Sequence, residues 1–275
     1  MSRIPVRYQA QFREKCDVQD AVVDKFLDAF TITAHQQDVI LNVPQRSPAW
    51  FKHRVNRVTA SNFAAANNNS PYCSRKSLLS RIITPRSFTN AACRWGIDKE
   101  AVAATVFENH LKCRLNVDSK ITYPGLVINL TYPFLGCSPD GIVHHILPNG
   151  TTVLFGLEIK CPYAKKKYGK IPRQYYDQIQ GTMGLMGLQY YYFVVWTPDD
   201  TEIQLFEFNA TYFHNTLLPN LLEFFYLDLV PALMNIQKED NLPPIDLPMA
   251  LVLGEEDDDD DGSPPFTNAP MALVL

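Results

Sequence analysis

Two short apolar, β-branched runs, Gly141 to Ile146 and Val153 to Ile159, flank the turn residues Pro148-Asn149-Gly150. No other pattern in the chain limits the fold as strongly. Each run is too short for a helix, and the residues between them are turn formers, so the segment reads as two neighbouring strands. A hairpin pairing the region of 141 with that of 158 sets Asp140 beside Glu158, although seventeen residues separate them in sequence. Alternation then puts Glu158 and Lys160 on one face of the second strand and turns Ile159 into the core.

The surrounding pattern extends this hairpin into a sheet. Asp17 to Phe30 has apolar residues at helical spacing, Ser74 to Ile83 reads as a helix ended by Pro85, and Ala92 to Leu111 as a long one. Leu126 to Leu130 reads as a further strand. A helix over about Arg173 to Leu188 precedes strands at Tyr190 to Trp196 and Glu202 to Phe208. A last helix covers roughly Ala210 to Ile236, with a break or kink expected at Pro219 and Pro231. Helices and strands in this order predict an α/β fold, a mixed central sheet flanked by helices. The uncharged stretch Gly181 to Pro198 changes character halfway, so it reads as a helix followed by a buried strand and not as a membrane span.

The chain has 275 residues and a net charge of −4, which speaks against a nucleic-acid partner until the charge is located. Residues 241–275 hold eight acidic residues and no Lys or Arg, leaving 25 basic against 21 acidic residues in 1–240, a net +4. Seven of the eight form the run Glu255 to Asp261, and Pro-Met-Ala-Leu-Val-Leu occurs twice, at 248–253 and 270–275. The expected division is a helical N-terminal extension over 1–46, one domain over 47–236, and a disordered Pro-rich acidic tail over 237–275. The tail reads either as a solubilising segment or as a competitor for a basic DNA channel. The N-terminus lacks the apolar stretch of a secretory signal. Six scattered cysteines without a CxxC pair argue against a disulfide framework or a zinc site. An intracellular protein, nuclear or cytoplasmic, is expected.

Asp140, Glu158 and Lys160 carry the chemistry. Two close carboxylates repel unless a cation lies between them, and hard oxygen ligands suit Mg²⁺ or Mn²⁺. Lys160 beside such a metal is suited to orienting water or stabilising phosphate charge, the inventory of metal-assisted phosphodiester hydrolysis. The plain alternative is a same-face ion pair at a strand end. His144-His145 reads as structural because alternation sends the two rings to opposite faces. Tyr190 to Tyr192 read as sheet core, and Cys161 as a small packed residue.

Further blocks agree in order. Leu135-Gly136-Cys137-Ser138-Pro139-Asp140-Gly141 and Glu158-Ile159-Lys160-Cys161-Pro162-Tyr163 are joined by Trp50-x-x-x-Arg54 with Thr59-Ala60-Ser61, by Trp95-Gly96-x-x-x-Glu100, and by Tyr175-x-x-Gln178-x-Gln180. Together they resemble the lambda-exonuclease/YqaJ branch of the PD-(D/E)xK nucleases, over about residues 47–235. The resemblance implies a restriction-endonuclease-like core. It implies metal binding by Asp140, Glu158 and the Ile159 carbonyl, with Glu100 as third acid. It makes Lys160 and Gln178 catalytic, and Arg54, Ser61 and Ser138 a 5′-phosphate pocket. Asn56 stands where the family has glycine, and Arg57 beside it is expected to help grip phosphate. Lys166, in the run Lys165 to Lys167 after the active-site strand, is expected to touch the DNA backbone.

The implied activity is Mg²⁺-dependent 5′→3′ digestion of linear duplex DNA from a phosphorylated end, leaving 3′ single strands. The implied partners are double-stranded DNA ends, a single-strand annealing recombinase, and other copies of the chain in a trimeric ring. A structure-selective endonuclease with the same metal site, or a non-catalytic DNA-binding module, are the alternatives.

Overall fold

Strand alternation and two packing helices build the centre of the molecule. The computed structural model describes residues 2–85, 89–114, 118–164 and 168–239. Lys166, the acidic run and both copies of the hexapeptide lie outside the described residues. Eleven α-helical segments are α1 (Val6–Lys15), α2 (Asp20–Asp28), α3 (Ala34–Leu41), α4 (Pro48–Arg54), α5 (Phe63–Ala66), α6 (Arg75–Ile83), α7 (Ala91–Cys113), α8 (Arg173–Met186), α9 (Ala210–Tyr212), α10 (Leu218–Phe224) and α11 (Val230–Glu239). The strands are β1 (Val58–Thr59), β2 (Asp118–Thr122), β3 (Val127–Ile128), β4 (Leu135–Cys137), β5 (Gly141–Ile146), β6 (Thr152–Lys160), β7 (Tyr190–Trp196) and β8 (Thr201–Glu207).

The main sheet runs β2-β5-β6-β7-β8, antiparallel throughout except for the parallel pair β6–β7. Residues on β5 and β7 divide between its two faces with period two. Val143, Leu157, Ile159, Tyr192 and Val194 pack with Ala103, Ala104, Phe107 and Leu111 of α7. Ile142, Tyr191, Phe193 and Val195 pack with Ile179 and Met183 of α8. Glu158 and Lys160 therefore point to the α8 side. The Tyr190–Tyr192 stretch is sheet core, as its apolar continuity indicates, with Tyr191 fully buried.

A small second sheet, β1-β4-β3, has β1 parallel and β3 antiparallel to β4. Leu126 to Leu130 was expected as one strand of a larger sheet. Only Val127 and Ile128 pair, because Asn129 turns the chain by accepting from the backbone of Thr131 and Tyr132 through its side-chain oxygen.

The C-terminal helix corrects the expected break. Ala210 to Asn235 is one continuous helix. Turns of π-helix at Phe213–Leu217 and Phe225–Leu229 end two residues before Pro219 and Pro231. The wider π turn leaves room for each proline ring and tolerates its missing N–H, so the helix passes through. This helix is apolar and long enough to cross a bilayer, but 67% of its most apolar window is buried inside the protein. It packs with α1 and α2 in one core, where Phe225 stacks on Phe134 at 3.6 Å and meets Phe30 edge-on at 5.4 Å.

Candidate active site

The β5–β6 hairpin does what its sequence implied. Gly141 pairs with Leu157, and the Asp140 N–H donates to the Leu157 carbonyl at 3.0 Å. The Asp140 carboxylate accepts from the Ile159 N–H at 2.7 Å, which holds it next to Glu158. Glu158 is buried, and its Oε1 receives the Lys160 ammonium and, at 2.7 Å, the Gln178 amide from α8. The other oxygen, Oε2, is buried and has no hydrogen-bond partner among the described residues. A buried carboxylate oxygen without a partner is costly and signals a missing electrophile.

Electrostatics agree with that reading. Burial, then Glu158 and more weakly Glu100, push the Asp140 carboxyl well above the usual range, with Lys160 opposing. Burial alone would lower Lys160, but Glu158 and Asp140 outweigh it and raise the ammonium, keeping it charged. Lys160 also lies 5.0 Å above the Tyr175 ring, one turn before Gln178 on α8. The donor set therefore fits a hard divalent cation: Asp140, Glu158 through its free oxygen, and the Ile159 carbonyl.

Glu100 is placed differently. With Ile159 and Lys160 it lines a cleft of about 560 Å³, but its carboxylate goes to Arg46 at 2.5 Å. Among the described residues no three His, Cys, Asp or Glu side chains converge into a ready cage. Arg46 carried no sequence signal. It adopts a left-handed backbone, φ 66°, which costs a non-glycine residue roughly 1–2 kcal/mol.

The residues expected to form a phosphate pocket are organised by Trp50. The Ser47 side chain caps α4, and the Trp50 indole N–H donates to the Ser138 hydroxyl at 3.1 Å. Arg54 stacks 4.1 Å from the Trp50 ring and donates to Thr59 at 2.9 Å. Burial lowers Arg54 to about 10, so it stays cationic at neutral pH. Parallel pairing of Thr59 with Gly136 sends Ser61 and Ser138 off the same end of the small sheet.

Arg57 does not serve this pocket. It is 4% exposed, and its guanidinium donates to the carbonyls of Pro133, His53 and Phe30, tying the N-terminal helices to the core. Asn56 has φ 58°, the left-handed conformation that glycine takes most easily and asparagine tolerates. The departure from the family glycine is therefore conservative in backbone terms.

Two glutamines and an aspartate on α8 have separate duties. Gln180 clamps the helix to the end of β8, donating to the Glu207 carbonyl and accepting from the Asn209 N–H. Asp177, missed in the sequence, is 1% exposed and is held by Asn67, Asn69 and Tyr212. Both fix α8, and with it Gln178.

The model of the YqaJ-like viral recombinase domain matches residues 49–189, just over half of the chain, a span that includes Arg54, Glu100, Asp140, Glu158, Lys160 and Gln178. The chain belongs to the YqaJ-like viral recombinase family. Its fold is shared with the alkaline exonuclease LHK-Exo from Laribacter hongkongensis, with TM-score 0.56 and 24% identity over 71% of this chain and 98% of that one. The structure of LHK-Exo in complex with dAMP gives TM-score 0.57 and 23% identity over 70% and 97%. The restriction-endonuclease-like α/β class follows. No curated protein matches the chain.

Proposed function

We propose that this YqaJ-family protein is a metal-dependent exodeoxyribonuclease that digests linear duplex DNA 5′→3′ from a phosphorylated end, with Mg²⁺ as its metal and Mn²⁺ as a substitute. Family and fold support a nuclease, and the solved relatives are an alkaline exonuclease, one of them holding dAMP. The observation that carries the reading is the buried Glu158 beside Asp140, with one oxygen fixed by Lys160 and Gln178 and the other without a partner among the described residues.

Asp140, Glu158 and the Ile159 carbonyl would hold a divalent cation, which when bound would supply Lewis acidity for water and phosphate. The chain's own residues do the rest. Lys160, kept cationic by its two carboxylate neighbours, stabilises charge developing on the scissile phosphate. Gln178 holds Glu158 in place. Arg54 and the hydroxyls of Ser61 and Ser138 receive the terminal phosphate, where a guanidinium fork and hydroxyl donors are well matched.

The proposal includes 3′ single strands left for recombination or repair, a single-strand annealing protein as partner, and a homo-oligomeric ring, all carried by the family. It places the protein inside the cell, in line with six cysteines that are all free. The test is digestion of linear duplexes with a 5′-phosphate or a 5′-hydroxyl. The phosphorylated end is preferred, closed circles persist, and Arg54→Ala removes the preference, mainly by raising KM. Equal digestion of both ends by the wild type refutes the pocket assignment.

A further inference from the structure

We infer that Arg46 is a positioning residue that acts as a built-in cation for Glu100, limiting how much divalent metal the cleft takes up. This rests on the metal-dependent reading of the site. Glu158 and, more weakly, Glu100 lie near enough to Asp140 for their charge to reach it. The chain supplies two cations of its own: Lys160 on Glu158 and Arg46 on Glu100. Among the described residues Asp140 has no ion pair of its own: its carboxylate accepts from the Ile159 N–H and feels the Lys160 charge only at longer range. Within these residues, compensation is weakest at Asp140, and Glu100 is committed to Arg46.

Arg46 is set in place by its surroundings. Gly125 packs so close to the α3–α4 connection that a Cβ there would meet the Val43 carbonyl at 2.3 Å, and its N–H donates to the Leu41 carbonyl at 2.6 Å. Gln45 then spans two carbonyls, of Pro124 and of Pro139, each at 2.9 Å, the second directly before Asp140. Ser47 is committed as the cap of α4. Between these two fixed neighbours Arg46 takes a left-handed backbone, and it joins Lys160 and Tyr163 in lining the cleft. A strained backbone that places a guanidinium on an active-site acid points to a role for that cation. An arginine cannot give up its charge, so it competes with a metal for Glu100 at every working pH.

The test is Mn²⁺ titration of the full chain, with free Mn²⁺ followed by electron paramagnetic resonance. Arg46→Gln is expected to tighten Mn²⁺ binding by about fivefold or more, the lower range of coupling between neighbouring sites, or to add one Mn²⁺ per chain. Arg46→Lys keeps the charge and behaves as the wild type. Adding Glu100→Gln cancels the effect of Arg46→Gln. Arg46 is 44% exposed, so these variants are expected to fold, which thermal unfolding checks. Unchanged or weaker binding in folded Arg46→Gln overturns the inference, as does Arg46→Lys acting like Arg46→Gln. Asp140→Asn separates the two layers. If the wild type binds no Mn²⁺ that Asp140→Asn loses, the metal reading falls and this inference with it. If that Mn²⁺ is present and Arg46→Gln leaves it unchanged, only the inference falls.

Discussion

His145, read as structural from the strand alternation, is packed within the fold. It is buried at 5% exposure, hydrogen-bonded through Nε2 to the Tyr192 hydroxyl at 3.0 Å, and its Nδ1 has no partner. Burial lowers its pKa below 6.5, so the folded protein holds it neutral. An unfolded chain takes up that proton near pH 6.5. Its contribution to stability is therefore present above pH 6.5 and is lost as the pH falls below it, by up to about 1.4 kcal/mol per pH unit. His145→Phe is expected to flatten part of the fall in unfolding midpoint between pH 7 and pH 5. An identical pH profile in the variant contradicts this. Cys161 is half-buried against the α7 face of the sheet, and burial, with Glu100 and Asp140 nearby, raises its thiol to about 11.

At the scale of elements, α8 is the part on which the site depends. It carries Gln178 and Tyr175, and it lies close against its neighbours because it has glycines where side chains would collide. A Cβ at Gly181 would sit 2.2 Å from the Phe63 ring, and one at Gly184 would sit 2.4 Å from Phe213. Gly181→Ala gains helix propensity but overpacks this contact, for a net loss of about 1–3 kcal/mol. It is also expected to lower kcat by shifting Gln178. Chemical denaturation checks the first effect and steady-state digestion the second; a variant as stable as the wild type refutes the packing argument.

What the sequence reveals at this scale follows from pattern length. The β5–β6 hairpin, α7, α8 and β7 are long enough for alternation or helical spacing to show, and the motif residues Asp140, Glu158, Lys160 and Gln178 ride on them. Strands β1, β3 and β4 are two or three residues long and carry no readable period. Arg46 was illegible because its loop conformation depends on partners distant in sequence, Gly125 against Val43 and the Pro124 and Pro139 carbonyls that Gln45 reaches. Arg57 misled because a burial site made of three backbone carbonyls leaves no local signature. The prolines of the last helix misled because π turns, invisible in composition, accommodate them.

At the scale of the whole molecule, the net charge of −4 is an average over two objects, a basic body and an acidic C-terminal segment. Removing residues after Leu242 deletes eight acidic and no basic residues. If that segment competes with DNA for the body, truncation raises duplex affinity at low salt, and the gain shrinks as salt screens it. Unchanged affinity at low salt dismisses the competition. The N-terminal helices belong to this scale as well. Tyr8 donates to the Pro219 carbonyl at 2.8 Å and Arg57 donates to Phe30, so the first thirty residues close the same core as the last helix.

The central claim is that Asp140, Glu158 and Lys160 form the centre of a metal-dependent nuclease. Its most direct test is the Mg²⁺-dependent release of nucleotides from a linear 5′-phosphorylated duplex by the wild type and by Lys160→Ala, both verified as folded. The account predicts release by the wild type that stops on chelation, and release reduced by roughly a hundredfold or more in Lys160→Ala, the loss expected for one electrostatic stabiliser of a transition state. No metal-dependent release by the wild type, or undiminished release by Lys160→Ala, would contradict it.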